Sequence, residues 1–193
     1  MNSNNNKVAI VTGSAKNIGR ATCIELAKLG FNILIHANTD KIGAEETKTF
    51  VDDYNVNSRI IIGNLTDKNF ADDLVNEASK IGNLSVLVNN ASQRNFFKFE
   101  DMTYEDWRHI LNINLDAVFL TCKKAIPIMK KNSWGRIINL GGLSAHIGAI
   151  GRSHVVTSKL AVVGFTRALA TEYAGTGITA VSYTHLTLPT SIQ

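Results

Sequence analysis

The stretch Val8-Ala9-Ile10-Val11-Thr12-Gly13-Ser14-Ala15-Lys16-Asn17-Ile18-Gly19 decides how the rest of this chain is read. An apolar run, Val8–Thr12, meets a glycine, and an amphipathic stretch, Ile18–Leu29, follows before stopping at Gly30. Glycine is needed where backbone turns tightly or must approach a ligand closely. A helix that starts directly after such a turn presents amides without intrahelical acceptors, together with its positive dipole end. Strand, glycine turn and helix in that order therefore make a phosphate-binding corner.

Working outward, four more short apolar runs follow: Asn32–His36, Arg59–Ile62, Ser85–Val88 and Arg136–Leu140. Near-continuous Val, Ile and Leu suits strands covered on both faces. Between them lie helical stretches at Asp40–Tyr54, Asp67–Ile81, Thr103–Lys131 and Ser153–Tyr173. The third begins at a capping box, Thr103-Tyr104-Glu105-Asp106, and Pro127 is expected to kink or nearly end it. The alternation predicts an α/β fold, a Rossmann-type doubly wound parallel sheet with helices on both faces. Residues 1–6 read as a disordered polar leader and residues 7–180 as one domain without a repeat or linker.

Composition agrees. The 193 residues are 45% hydrophobic and 19% charged, which excludes a disordered chain. There is no run of eighteen apolar residues to span a membrane, and the leader MNSNNNK carries no apolar signal core. Two cysteines are too few for a disulfide framework or zinc cluster, so a reducing, cytoplasmic setting is expected. The net charge of +4 is not arranged as a basic stripe interleaved with aromatics, which argues against nucleic acid and is compatible with attraction of a phosphorylated cofactor.

The C-terminal stretch departs from this pattern. Gly177–Ala180 reads as the entry to a sixth strand, after which residues 181–193 have neither charge nor periodicity. They resemble the translation of a transposase sequencing adapter. The expectation is a sheet truncated after the start of the sixth strand and a non-native tail.

The turn from Thr12 to Gly19 is similar to the T-G-x-x-x-G-x-G turn of the short-chain dehydrogenase/reductase family, with Asn17 at the middle glycine. Asn tolerates positive φ better than other non-glycine residues, so the departure is mild. The likeness continues in order: Asn64-Leu65-Thr66-Asp67 beside the adenine, Asn89-Asn90-Ala91-Ser92 for N-N-A-G, Asn114-Leu115 with Phe119, Gly135–Asn139, Ser158-Lys159 and Gly164–Ala170. The members most resembled are 3-oxoacyl-acyl-carrier-protein reductases. The resemblance implies a nicotinamide cofactor held by Gly13, Ser14, Lys16, Asn17, Ile18, Gly19, Asn38, Asn64, Leu65, Asn90, Ala91 and Lys159. It also implies a small carbonyl or alcohol substrate, and a homodimer or homotetramer formed through the two long helices.

Members that prefer NAD place an acid at the end of the second strand. Here His36-Ala37-Asn38-Thr39-Asp40 offers none at Ala37, and Asp40 is expected to cap the next helix instead. Lys16 stands where NADP users carry a basic residue, and Asn38 could donate to a 2′-phosphate. NADP(H) is expected over NAD(H), although Lys16 also reads as a solvated loop lysine.

The family's Y-x-x-x-K puts a proton-donating phenol one helical turn before a lysine that lowers its pKa. A serine about thirteen residues earlier orients the carbonyl, and an asparagine completes a proton relay. Lys159 and Asn114 are present, but Val155 occupies the tyrosine position and Gly142 the serine position. His154, with an ordinary pKa of about 6.5, is a substitute donor only if the helix begins after it. Otherwise it is a cap or interface histidine. Ser144 reaches a ligand only if its loop shifts. Three readings follow: an NADP(H)-linked oxidoreductase with an atypical or lost proton donor, a non-catalytic nucleotide-binding protein on the same scaffold, or a fragment without function.

Overall fold

The computed structural model describes residues 6–183, the Ser144 side chain excepted. The apolar runs form six strands: β1 (Lys7–Val11), β2 (Asn32–Ala37), β3 (Ser58–Ile62), β4 (Asn83–Asn89), β5 (Gly135–Leu140) and β6 (Ile178–Tyr183). Their order is β3-β2-β1-β4-β5-β6, and every pairing is parallel. The chain builds outward from β1 to β3 and then crosses back to β4 on the other side of β1. That reversal opens a crevice at the carboxyl ends of β1 and β4, where doubly wound sheets bind ligands.

Strand geometry sends alternate side chains to opposite faces. Ala9, Val11, Ile33, Ile35, Val86 and Val88 pack with residues of α1 (Asn17–Lys28) and α2 (Lys41–Asp52). Val8, Ile10, Leu34, Leu84, Leu87 and Ile137 pack with α3 (Phe70–Ser79), α5 (Ala117–Lys131) and α7 (Ser153–Glu172). Each Val, Ile or Leu among them, fully buried, stabilises the fold by about 1.5–3 kcal/mol. Cys23 and Cys122 are free and lie in different halves of this core, where burial pushes both thiols up to about 12. No helix among the described residues is long and apolar enough to cross a membrane.

The stretch Thr103–Lys131 is not one helix. The predicted capping box forms at the start of α4 (Tyr104–Leu111), and a π-helical turn at Asn112–Asp116 separates it from α5. The wide turn directs Asn114 inward, where it is 1% exposed. Pro127 does not end α5, which runs on to Lys131. Proline removes the bond to the Lys123 carbonyl, but both residues lie on the exposed side, where water satisfies the lone acceptor. The short α6 (Ser144–Ile147) and a 3₁₀ turn at Phe99–Asp101 carry too few residues to show a period.

β6 extends three residues into the stretch expected to be foreign, because parallel pairing uses backbone atoms whatever the side chains. The Tyr183 carbonyl accepts from the Gly141 amide at 2.9 Å. Residues 184–193 and the leader residues 1–5 lie outside the described residues.

A buried chain of hydrogen bonds ties helices to sheet across this half. Thr121 donates to Asn89 Oδ1 at 2.8 Å, Asn89 Nδ2 donates to Asn139 Oδ1 at 2.8 Å, and Asn139 Nδ2 donates to Thr166 Oγ1 at 2.9 Å. Asn139 is fully buried, so truncating it takes one hydrogen bond from each of two polar partners that lie away from water. Asn139→Ala is expected to lower stability by about 2 kcal/mol. Urea unfolding of the variant against the parent chain measures this, and a change below about 0.5 kcal/mol would contradict the network's role.

Candidate active site

The glycine turn is held from three sides. Asn90 Nδ2 donates to the carbonyls of Thr12 and Gly13 at 2.9 and 2.8 Å. Thr12 Oγ1 accepts from the amides of Asn90 and Ala91 at 3.0 and 3.1 Å. His36, at the end of β2, accepts from the Gly13 amide through Nδ1 at 3.1 Å, while Nε2 lies 3.0 Å from the Gly63 carbonyl. That pair fixes a neutral ring protonated on Nε2. Arg20 braces the outside by donating to the Ala15 carbonyl at 2.6 Å.

Space explains the glycines. A Cβ on Gly13, where φ is +62°, would stand 2.9 Å from Ala91 Cα, and one on Gly19 would stand 2.4 Å from the Gly13 carbonyl oxygen. Asn17 takes φ +52° in the middle-glycine slot, as its residue type allows. Lys16 is the N-cap of α1 without a side-chain cap bond, so the first-turn amides face the crevice unspent.

The crevice holds a cavity of about 820 Å³. Gly13, Lys16, Asn17, Ile18 and Gly19 line its phosphate corner. Asn38, Asn64 and Leu65 line one flank, and Asn90 and Ala91 the floor. Lys159 lines the far end with Gly142 and Val155. Ser14 is not in the wall. It is fully buried, donating to the Val11 carbonyl at 2.8 Å and accepting from the His36 amide at 3.1 Å. Asn90 also spends its amide on the turn, which leaves backbone and Ala91 to face a ligand. Asp40 caps α2 by accepting from the Gly43 amide at 3.0 Å, and its other oxygen lies 3.8 Å from Lys16 Nζ. Both partners are exposed, so this pairing is weak.

Lys159 is 5% exposed and donates to the Leu140 carbonyl at 2.7 Å. Burial, and then the charge of Arg94, bring its pKa down to about 8. Holding the ammonium there costs about 3 kcal/mol relative to water. Asn114 accepts from the Gln93 amide at 2.9 Å and donates to the Gln93 carbonyl at 3.0 Å and to Ser158 Oγ at 3.2 Å. It positions the loop after β4 and does not line the cavity.

His154 is also outside the wall. α7 begins at Ser153, so His154 is already helical and turned about 100° from Val155. It is fully buried against the edge of Phe97, and neither ring nitrogen has a hydrogen-bond partner among the described residues. The condition for a donor at this position, a helix starting after His154, is not met. The Ser144 side chain lies outside the described part.

A glycine corner and a buried lysine at the far end share one continuous crevice, with an inward asparagine on a widened turn behind its wall. The model of the short chain dehydrogenase family matches residues 7–191. The chain belongs to that family. Among similar proteins, a D-beta-hydroxybutyrate dehydrogenase of Rhizobium meliloti is 35% identical over 179 residues, covering 90% of this chain and 68% of the relative. A 3-oxoacyl-acyl-carrier-protein reductase of Staphylococcus aureus is 33% identical, covering 90% of this chain and 71% of the relative. The crystal structure of acetoin dehydrogenase from Salmonella typhimurium superposes with a TM-score of 0.87 at 32% identity, over 93% of this chain and 72% of that one. Membership assigns the protein to the oxidoreductases that work on carbonyl and alcohol groups with NAD or NADP.

Three site residues escaped sequence reading. His36 read only as a strand end, and neither Arg94 nor Arg152 was singled out, yet all three line the cavity. No periodicity marks them, because their roles depend on where β2, the loop after β4 and the start of α7 converge.

Burial holds His36 below its ordinary value of 6.5. A histidine depressed on folding contributes stability that is present above the unfolded pKa and lost as pH falls below it. The melting temperature is therefore expected to drop as pH falls below about 6.5. His36→Asn should flatten that slope, leaving the part owed to His154, which burial depresses in the same direction. Thermal melts of both proteins from pH 8 to pH 5 test this; parallel profiles would exclude His36.

Proposed function

We propose that the protein is an NADP(H)-binding short-chain oxidoreductase, related to 3-oxoacyl reductases, whose ordinary proton donor has been lost. The crevice fits the coenzyme: Gly13 and Gly19 stand where a Cβ would fill the cradle, and Asn17 adopts the left-handed backbone the turn requires. Asn17, Ile18 and Gly19 would meet the pyrophosphate through backbone amides while Gly13, without a side chain, lets it approach; Asn64 and Leu65 would meet the adenine, and Lys159 the sugar nearest the nicotinamide. When bound, the coenzyme supplies hydride chemistry at a carbonyl or alcohol carbon.

The preference for NADP(H) rests on charge. Ala37 leaves no acid at the end of β2, Asp40 is engaged in capping α2, and Lys16 and Asn38 line the cavity beside it. A lysine–phosphate contact is a charge-assisted bond and favours the phosphorylated coenzyme about ten-fold. Titration by fluorescence should give tighter binding of NADPH than NADH, with the difference reduced by Lys16→Ala. Equal or tighter NADH binding would refute the preference.

The observation that carries the catalytic reading is Val155, which lines the cavity one helical turn before Lys159 and has no proton to give. Lys159 donates to Leu140, Asn114 positions the loop, and His154 lies outside the wall, so none of them replaces a phenol. The same observation favours the second reading, a protein that binds coenzyme without turnover. General acid catalysis contributes about 10²–10⁴-fold. Val155→Tyr combined with Gly142→Ser is expected to raise ketone-dependent NADPH oxidation by about 10²-fold or more. No gain, with coenzyme binding intact, would show that more than the donor has changed.

A further inference from the structure

Among the described residues, four cationic side chains line the cavity, Lys16, Arg94, Arg152 and Lys159, and no carboxylate does. Lys16 belongs to the phosphate corner. The other three lie at the far end, around Val155 and Gly142. Coenzyme binding, as read above, gives work to Lys159 alone among them. Arg94 and Arg152 have no ion pair or side-chain hydrogen bond among the described residues, although Arg152 is half-buried. A guanidinium enclosed by bound ligands without an anion would lose water and gain nothing.

The segments that carry the two arginines are joined by built contacts. The Phe97 amide donates to the Gly151 carbonyl at 2.9 Å, joining the Arg94 loop to the residue before Arg152. Gly151 has φ +66°, and a Cβ there would stand 2.3 Å from the Phe96 ring, so the loop closes on it without space for a side chain. Arg152 is the N-cap of the twenty-residue α7 and makes no side-chain cap bond, so the helix adds its positive end to the same place. The charge of Arg94 is felt at Lys159 and helps lower its pKa. Ile113, Leu143 and Val155 supply an apolar wall beside these cations.

We propose that this end of the cavity takes a short oxo- or hydroxy-acid, whose carboxylate is held by Arg94 and Arg152 while its carbon chain lies against Val155 and Leu143. This substrate class rests on the reading of the crevice as a nicotinamide-dependent site. Planar guanidinium groups match a carboxylate by paired N–H bonds, and a neutral ketone or thioester offers them no charge. An uncharged acyl thioester is the rival occupant.

The test measures binding to the full chain saturated with NADPH. The probes are 3-hydroxybutyrate, its methyl ester and its N-acetylcysteamine thioester; with both partners reduced, no hydride moves. The acid is expected to bind at least ten-fold tighter than either neutral probe by calorimetry, and Arg94→Gln and Arg152→Gln should each weaken it by about ten-fold. Equal or tighter binding of the ester or thioester would overturn the proposal, and so would an acid affinity untouched in both variants. The acid-to-ester ratio is read on the unaltered chain, so a variant that misfolds does not decide the matter. Should NADPH itself not bind, the coenzyme reading fails separately, and the same acid-to-ester titration on the coenzyme-free protein still judges the arginine pair.

Discussion

The site depends on the closeness of two backbones at the carboxyl ends of β1 and β4. Ala91 lies against Gly13 with no space for a methyl group between them, and the Gly13 carbonyl leaves none at Gly19. Asn90 and Thr12 hold this approach through four hydrogen bonds, and His36 completes it from β2. Asn90 satisfies the carbonyls of Thr12 and Gly13, and His36 the Gly13 amide, so the turn is held in shape by its own bonds. These side chains act on the turn, and the turn acts on the ligand. A binding site built from amides therefore rests on three side chains that need never touch the ligand's charge.

The far end of the crevice follows a different logic. Lys159 is kept dry against the Leu140 carbonyl, and burial makes its charge costly. Such a cation is stabilised when a polar ligand fills the space beside it, so folding energy is traded for affinity there. Asn114 contributes from outside the wall. The π-helical turn points it inward, its two bonds to Gln93 set the loop that carries Arg94, and a third ties it to Ser158 on α7. The buried chain from Thr121 to Thr166 keeps β4, β5 and the two helices in register beneath that end. Position at the site is thus inherited from polar contacts within the core rather than from the loops themselves.

Much of this was legible in the residues. Val8–Thr12 followed by Gly13 and an amphipathic stretch specifies strand, turn and helix through local conformational preference, and Asn17 could be assigned a left-handed backbone from residue type alone. Asp40 as a cap and Thr103 with Asp106 as a capping box are likewise short-range relations. Thr103–Lys131 was less transparent. A π-helical turn inserts one residue without disturbing the apolar period enough to be seen, and Pro127 near an exposed carbonyl disturbs the helix less than a proline in a buried turn. Ser14 read as a cofactor contact because of its place in the motif; only the packing of β1 on β2 turns it inward.

The residues by themselves determined the order of strands and helices, the phosphate corner and the presence of Val155 and Lys159 one turn apart on a helix. Those features follow from side-chain period, backbone preference and spacing, which act over a few residues. Only the tertiary structure decided that His36 supports the turn, that His154 faces away from the cavity and that Arg94 and Arg152 share its far end. Each depends on segments remote in sequence meeting at the reversal of strand order, and the free energy of such a meeting belongs to no single segment.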